Sequence, residues 1–364
     1  MASSSPSQGS ICGIIIFSSR HWVAIVPICL SCRLIQLLVL NDCPCAKRRI
    51  SLLHGDKMIL VTGATGFLGQ RLCRRLEEAS IAFTRTSLSL GTDLRDFSQT
   101  LALFEAIRPT IILNCASFAG GIQFGLKQPA DMFRNNMPMI ANLFEAAHRT
   151  GVKRIVNPLP NCVYPAELTV FEESRFWDGP LHESVMVYGL LRKLSWMGSW
   201  AYAKQWGLQT INLVFCNMYG PGDHFDEIRS HAVGGLVTRF LEAHERGAPE
   251  VIVWGSGAPV REWLYVDDAA EAMFRAMTCA PCDQPVNVGV GKGVSIADVA
   301  ERIGSLVNYD GRIVYDRSKP DGAPHKTIDG TRGAALLGWC PQTKLDDGLA
   351  KTVEWYKQAV SCRT

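Results

Sequence analysis

The sequence predicts an α/β fold, a doubly wound parallel sheet with a smaller, interleaved C-terminal domain. From Met58 onward, short apolar runs that read as buried strands alternate with amphipathic helical patterns. Gly63, Gly66 and Gly69 follow the first of these runs at the spacing of a strand-to-helix phosphate turn. Together these two observations indicate a sheet of the Rossmann type.

The first strand is predicted at Ile59 to Val61, and the helix after the glycines continues to Leu76. In such a turn the first glycine allows a tight bend, the second lets backbone approach a pyrophosphate, and the third lets the helix pack against its strand. The amino end of the helix can hold an anion against its free amides. We therefore expect a dinucleotide site formed by Gly63, Thr65, Gly66, Phe67, Leu68 and Gly69.

The second strand is predicted at Ile81 to Thr84. After it, Arg85, Thr86 and Ser87 occupy the place where an Asp or Glu would contact the ribose hydroxyls of NAD. A guanidinium and hydroxyls suit the 2′-phosphate of NADP instead. The sequence therefore favours NADP over NAD and predicts Arg85 as a contact.

Asp93 and Leu94 come next, and we expect both to contact the cofactor. Asp93 has a second interpretation, because an aspartate at this place in a chain is more commonly a helix cap than an adenine contact. Both interpretations of Asp93 remain open from the sequence alone.

The alternation of strands and helices then continues. The predicted elements are a helix through Leu101, Phe104 and Ile107, a strand at Thr110 to Cys115, a helix from about Pro129 to Thr150, a strand at Arg154 to Asn157, a helix from near Val187 to Trp206, and a strand at Gln209 to Cys216. We predict a Rossmann domain over 58–228 and mainly a substrate-binding domain over 229–364, with 262–290 returning to the first sheet.

Residues 1–57 do not resemble part of this fold. They have a Ser-rich start, two apolar runs and a basic end at Lys47, Arg48 and Arg49. Arg33 interrupts the longer apolar run, which argues against a membrane anchor. We interpret the segment as an extension before a cytoplasmic protein whose fold begins at Met58, and a targeting segment is the alternative.

Charge and cysteine content exclude several classes of function. Residues 1–57 hold six Lys or Arg and two acidic residues, whereas the rest of the chain holds 31 and 32. The body is near neutral, so we expect no nucleic-acid partner and no metal site. The 13 cysteines are scattered and odd in number, which favours free thiols in a reducing compartment.

Tyr188 and Arg192 are the first candidates for catalysis. Four residues apart on the predicted helix, they share one face, where the positive charge can favour ionisation of the phenol for proton transfer to a carbonyl oxygen. The same spacing also occurs between purely structural residues.

Several segments together resemble the extended short-chain dehydrogenase/reductases, and within them the GDP-L-fucose synthase branch of nucleotide-sugar epimerase/reductases. The resemblance covers roughly Met58 to Val360. The segments that carry it are Ala119 Gly120 Gly121 Ile122, Asn161 Cys162 Val163 Tyr164 Pro165, Gly220 Pro221 Gly222 Asp223, Arg229 Ser230 His231, Val253 to Gly257 with Arg261 Glu262 Trp263, and Lys319 Pro320 Asp321 Gly322.

The resemblance implies a GDP-4-keto-6-deoxyhexose substrate, NADPH as hydride donor, and two epimerisations followed by reduction of the ketone. It assigns the acid and the base of epimerisation to Cys162 and His231. A thiol can deliver a proton and a neutral imidazole can remove one. It assigns proton transfer during reduction to Tyr188, with Arg192 in the place of the family lysine and both residues at the cofactor. A buried structural thiol and a helix-capping histidine are the alternatives.

The reductase half departs from the family pattern at two positions. The family serine that hydrogen-bonds the substrate carbonyl aligns with Pro160, which has no donor. The lysine aligns with Arg192, whose fork places its donors differently. We therefore expect slow reduction, by on the order of a hundredfold.

On the substrate side, the resemblance matches Arg239 and Arg261 to positions that face the diphosphate or the sugar. Trp254 could pack on a sugar or a base, and Lys319 and Asp321 complete the expected substrate-binding set. The family also implies a homodimer. Two further functions remain open: a nucleotide-sugar epimerase without net reduction, and a non-catalytic NADP-binding scaffold.

Overall fold

The structure, a computed structural model, describes residues 58–226, 229–319 and 321–361, with side chains as far as 359. The predicted leader, 1–57, lies outside the described residues. The strands are β1 (Ile59–Thr62), β2 (Thr84–Thr86), β3 (Ile111–Asn114), β4 (Arg154–Pro160), β5 (Val170–Phe171), β6 (Gln209–Phe215), β7 (Asn217–Tyr219), β8 (Glu250–Trp254), β9 (Val260–Tyr265), β10 (Pro285–Val288), β11 (Gly293–Ser295), β12 (Arg312–Asp316) and β13 (His325–Ile328).

The helices alternate with these strands through the first half of the described chain. They are α1 (Phe67–Glu78), α2 (Phe97–Ile107), α3 (Ile122–Lys127), α4 (Pro129–Thr150), α5 (Met186–Trp206), α6 (Ala232–Glu245), α7 (Val266–Ala276), α8 (Ile296–Val307), α9 (Thr331–Leu337) and α10 (Leu345–Ser361).

The largest sheet has six parallel strands in the order β10-β6-β4-β3-β1-β2. Alternate residues of β1 point to opposite faces: Ile59 and Val61 pack with α1 and α7, and Leu60 packs with α2 and α4. Both faces are therefore buried, which is why the strand is apolar throughout. The predicted doubly wound parallel sheet is confirmed.

Two strands differ from the prediction by more than one residue at a boundary, β2 and β4. The apolar run at Ile81 does not pair in the sheet, because its amide donates to the carbonyl of Leu76 and closes the end of α1. Strand β2 therefore begins at Thr84. Strand β4 continues to Pro160 instead of ending at Asn157. Beyond Val156 it pairs with β6 only, so its other side is an edge, where a strand tolerates proline.

A second sheet lies in the later part of the chain, in the order β11-β9-β13-β5, with β7 alongside β9. Strands β8 and β12 form a separate parallel pair. Helices α6, α8 and α10 build a second apolar core around Phe240, Ile303 and Leu349. Since β10 pairs with β6 of the first sheet, the chain passes back and forth between the two sheets.

Three properties of the described residues bear on function. The cysteines at 73, 115, 162, 216, 279, 282 and 340 are free thiols. Within the described ranges, no three His, Cys, Asp or Glu side chains are grouped so that they could hold a metal ion. Nor does any described helix have the length and apolar character needed to cross a membrane.

Candidate functional site

The phosphate turn lies where the strand order of the main sheet reverses, between β1 and β3. Gly63 has a φ of +62°, and a Cβ there would stand 2.5 Å from the carbonyl carbon of Cys115. A Cβ on Gly69 would stand 2.1 Å from the carbonyl oxygen of Gly63. Only glycine fits at either position, so bare backbone lines the start of α1. A crevice at such a switch point is the usual dinucleotide site in open sheets.

Three hydroxyls meet beside this turn at the end of β2. Thr65 Oγ1 lies 3.0 Å from Ser87 Oγ and 2.8 Å from Ser89 Oγ. The cluster contains no carboxylate. The Arg85 guanidinium points elsewhere: it donates to Glu77 of α1 and lies 5.5 Å from the Phe83 ring. The hydroxyls, and not Arg85, therefore line the place expected for the ribose.

The next predicted contacts, Asp93 and Leu94, form a tight local structure. Asp93 accepts from Arg95, which lowers the pKa of the Asp93 carboxyl. Leu94 is buried. The helix cap is Asp96, whose carboxylate accepts from the Gln99 amide at 3.1 Å. Asp93 is therefore not the helix cap, which lies three residues later at Asp96.

Tyr188 and Arg192 lie on one face of α5, as predicted, and share a partner. The guanidinium carbon of Arg192 is 5.0 Å from the Tyr188 ring centroid. The Tyr188 hydroxyl lies 3.2 Å from Ser117 Oγ, and Arg192 Nη2 donates to that same oxygen. Arg192 Nη2 also donates to Asn136 Oδ1 at 2.9 Å. Arg192 is buried, so this contact set holds it in place.

Cys162 lies in the turn after β4, against the same helix. A Cβ on Gly189, next to Tyr188, would stand 2.7 Å from the Cys162 carbonyl oxygen. Burial raises the pKa of the Cys162 thiol to about 12, although the positive charges of Arg192 and Lys326 oppose the rise. The thiol is therefore protonated at neutral pH, as a proton donor must be.

His231 immediately precedes α6 and is held by a buried carboxylate. Its Nδ1 lies 2.9 and 3.1 Å from the two oxygens of Asp223. A carboxylate can only accept here, so Nδ1 carries the proton and Nε2 has the lone pair. Surrounding protein disfavours the charged ring, but the Asp223 charge and hydrogen bond outweigh this and raise the pKa of His231.

The loop after β3, residues 116–121, connects these groups. Ser117 contacts Tyr188 at one end of the loop. At the other end, the amide of Gly121 donates to the Arg229 carbonyl at 3.0 Å, two residues before His231. A Cβ on Gly121 would stand 2.3 Å from the Ser230 carbonyl oxygen. The segments that carry the phosphate turn, the phenol and the imidazole are thus in contact along one loop.

The predicted substrate residues fall into two groups. Arg239 and Lys319 lie over the Trp254 ring, at 4.5 and 5.9 Å from its centroid. Asp321 instead accepts from the amide and hydroxyl of Ser256 and so closes the turn after Trp254. Burial lowers the pKa of Arg261, with the Asp321 charge opposing the change.

Four side chains in this region were not assigned roles from the sequence: Ser117, Asn136, Asp223 and Lys326. Asp223 was visible in the Gly-Pro-Gly-Asp segment, but only the fold shows that its carboxylate meets His231. Burial, and after it the nearby Arg261, lowers the pKa of Lys326, which also interacts with the Cys162 thiol. No spacing in the sequence connects these residues, because each comes from a different loop, helix or strand.

The chain is similar to a known protein family and to curated proteins. The family model described as "NAD dependent epimerase/dehydratase family" matches residues 59–289. The putative GDP-L-fucose synthase 2 of Arabidopsis thaliana is 34% identical over 314 residues, covering 85% of this chain and 94% of that protein. GDP-L-fucose synthase of Escherichia coli K12 is 33% identical over 314 residues, covering 82% of this chain and 96% of that protein.

The fold is also similar to that of solved structures. The crystal structure of a GDP-L-fucose synthetase from Naegleria fowleri bound to NADP matches with a TM-score of 0.77 and 28% identity. The match covers 85% of this chain and 96% of that one.

Proposed function

The chain belongs to the NAD dependent epimerase/dehydratase family, and from that premise we propose that it is a GDP-L-fucose synthase-like enzyme, an NADP-dependent epimerase/reductase of a nucleotide sugar. The substrate we propose is GDP-4-keto-6-deoxy-D-mannose, which is epimerised at C3 and C5 and then reduced at C4. The resemblance seen in the sequence is borne out by the GDP-L-fucose synthases that match most of the chain.

One observation carries the proposal: the phenol of Tyr188, the thiol of Cys162 and the guanidinium of Arg192 lie together beside the phosphate turn. Arg192 contacts Ser117, whose loop begins where Gly63 packs on residues 115 and 116. An acid, a second proton donor and a fixed positive charge therefore lie next to a dinucleotide crevice. These groups suit proton transfer to a ketone substrate, and His231, which Asp223 holds, supplies the base that inversion also requires.

Epimerisation uses the thiol and the imidazole. A carbon beside the ketone loses its proton to Nε2 of His231, and the enolate receives a proton from Cys162 on the opposite face. The raised pKa of Cys162 keeps its proton available, and the raised pKa of His231 makes the neutral ring a stronger base.

The nicotinamide cofactor fits the crevice, because the glycine turn leaves room that a Cβ would fill. Gly63, Gly66 and Gly69 would hold its pyrophosphate, and the hydroxyls of Thr65, Ser87 and Ser89 would face the ribose. When bound, NADPH supplies the hydride for reduction. We propose NADP over NAD because the hydroxyl cluster has no carboxylate to accept from free ribose hydroxyls.

Two alternatives follow from particular residues. Pro160 favours an epimerase without net reduction, because it cannot donate to the ketone oxygen. A scaffold that only binds NADP is disfavoured by the Asp223–His231 pair, which cofactor binding alone does not require. We further propose a cytoplasmic homodimer, with the domain boundary near residue 228.

Mass spectrometry distinguishes these functions. The purified full chain is incubated with GDP-4-keto-6-deoxymannose in D₂O, with and without NADPH. The proposed enzyme gives solvent deuterium in the sugar in both samples and a two-hydrogen gain only with NADPH. Deuterium without that gain indicates an epimerase, and neither change indicates a scaffold. Cys162→Ser should lower deuterium incorporation by about a hundredfold; unchanged incorporation would contradict the role of the thiol.

A further inference from the structure

The reductase step leaves a negative charge on the phenol oxygen of Tyr188. When the Tyr188 proton moves to the ketone oxygen, a phenolate remains and needs a hydrogen-bond donor. Pro160 has neither a donating side chain nor an amide hydrogen. Its neighbour Asn161 already donates its amide to Asn217 Oδ1 at 3.2 Å. Neither Pro160 nor Asn161 therefore has a free side-chain donor for this charge.

A hydroxyl from another loop lies beside the phenol. Ser117 Oγ is 3.2 Å from the Tyr188 oxygen and accepts from Arg192 Nη2. A serine hydroxyl that accepts from a cation still has its own hydrogen to donate. The three side chains thus form a chain of hydrogen bonds that runs from the buried guanidinium to the phenol.

The backbone around Ser117 is held in place. Asn136 of α4 accepts from the Phe118 amide at 3.0 Å and donates to the Phe118 carbonyl at 2.8 Å. Its oxygen also accepts from Arg192 at 2.9 Å. Because one side chain binds both the residue after Ser117 and the guanidinium, the distance between Ser117 and Arg192 is set by the fold.

We propose that Ser117 is a positioning residue for proton transfer by Tyr188, holding the phenol oxygen through its hydroxyl. The proposal rests on the proposed function. As the ketone carbon receives the hydride that NADPH supplies, the Tyr188 O–H bond breaks and an O–H bond forms on the ketone oxygen. The negative charge left on the phenol oxygen is met by the Ser117 hydrogen, which Arg192 polarises. A solvent proton then restores the phenol, so the chain ends each turnover unchanged.

The other charged and titratable groups near the phenol come from three elements. Cys162 lies behind Gly189 and is protonated at neutral pH. Lys326 of β13 interacts with Cys162. Arg229 lies 5.5 Å from the Phe124 ring, which packs in the same apolar cluster as Tyr188. None of these positive charges is joined to the phenol through a hydroxyl, as Arg192 is.

The direct test measures ionisation of Tyr188 in the ligand-free protein. Tyrosine labelled with ¹³C at Cζ is incorporated, the Tyr188 signal is assigned with Tyr188→Phe, and the signal is titrated with base. In Ser117→Ala the midpoint should rise by about one pH unit, because a hydrogen bond to the charged form is lost. Ser117→Thr, which keeps the hydroxyl, should titrate as wild type does, and Ser305→Ala on α8 controls for loss of a distant hydroxyl.

Kinetics give the second readout. Ser117→Ala should reduce the ketone about tenfold more slowly at neutral pH with an unchanged KM for the sugar, and should incorporate solvent deuterium at the wild-type rate. An unchanged Tyr188 midpoint would overturn the proposal even if activity fell. Should the wild type neither exchange nor reduce, the proposed function fails, yet the titration still decides whether Ser117 acts on the phenol.

Discussion

At His231, a buried carboxylate decides which ring nitrogen can act as a base. Asp223 also accepts from the His224 amide at 2.7 Å, so its orientation does not depend on the histidine. The oxygen that accepts from His224 is also the one 2.9 Å from His231 Nδ1, so in Asp223→Asn the amide oxygen would keep both contacts. The ring would lose the negative charge beside it and become a weaker base.

The Asp223–His231 pair determines how the rate of deuterium exchange changes with pH. Deuterium exchange needs neutral His231, so the rate falls as pH drops through the histidine pKa. Because Asp223 raises that pKa above 6.5, the wild-type rate falls at a higher pH than an ordinary histidine would give. In Asp223→Asn the fall should move to lower pH, and the plateau rate should drop on the order of a hundredfold.

Mass spectrometry of exchange between pH 5 and 9, with histidine C2–H signals followed by NMR, checks both effects. Asp178→Asn is the matched control, since Asp178 pairs with Arg175 on the surface and lies outside the site. A pH profile in Asp223→Asn that coincides with wild type would show that the carboxylate does not act on His231.

Among the elements, the β1–α1 turn requires glycine at position 69. A methyl group at Gly69 would overlap the Gly63 carbonyl, which is backbone and cannot rotate away. Gly69→Ala should therefore displace the turn, lower stability by about 1–3 kcal/mol and lower affinity for NADPH about tenfold or more. Thermal unfolding and calorimetric titration measure these two changes.

Gly125→Ala in α3 is the matched control, because the nearest atom outside its own helix would lie 3.6 Å from the added Cβ. That variant should keep the wild-type affinity for NADPH. Equal affinity in Gly69→Ala and wild type would mean that the turn does not approach the cofactor.

The elements also show how far sequence patterns extend. The helices α4 and α5 were predicted within one or two residues, because each combines apolar periodicity with a clear start and stop, whereas α1 begins before Gly69 and not after it. The run at Ile81 misled the prediction of β2, since a buried apolar residue can close a helix as well as enter a sheet. Apolar periodicity indicates which residues are buried, whereas backbone hydrogen bonding determines whether they end a helix or enter a strand.

At the scale of the whole molecule, two helices present large apolar side chains to solvent. They are Phe133 and Met137 on α4 and Leu190 and Met197 on α5, each between 38% and 53% exposed. Spacings of four and seven residues place each pair on one helix face. A second copy of the chain, packed helix against helix, would bury both faces.

This arrangement predicts a homodimer with a mass about twice that of the 40.1 kDa chain. Met197→Glu should give a monomer in size-exclusion chromatography with light scattering, because the interface would bury an unpaired carboxylate. Val314→Glu, on the exposed strand β12, should leave the mass unchanged. A wild-type monomer would contradict the predicted assembly.

The site was predictable only as far as local motifs reach. The glycine turn, Tyr188 with Arg192, and Cys162 each occupy short segments with their own signal. The Ser117, Asn136 and Asp223 contacts arise from chain segments 8 to 75 residues apart, which only tertiary packing joins. Arg85 shows the converse: the sequence predicts it as a cofactor contact, but in the structure its side chain donates to Glu77 of α1.

Transfer of a label from the cofactor to the sugar directly tests whether the chain reduces the keto sugar with NADPH. The full chain is incubated with GDP-4-keto-6-deoxymannose and NADPH deuterated at the transferred C4 position of the nicotinamide, and the nucleotide sugar is analysed by mass spectrometry and NMR. One deuterium is expected at C4 of the product sugar, with oxidised NADP formed in equal amount. Unconsumed cofactor and an unlabelled sugar would show that the chain does not reduce this substrate.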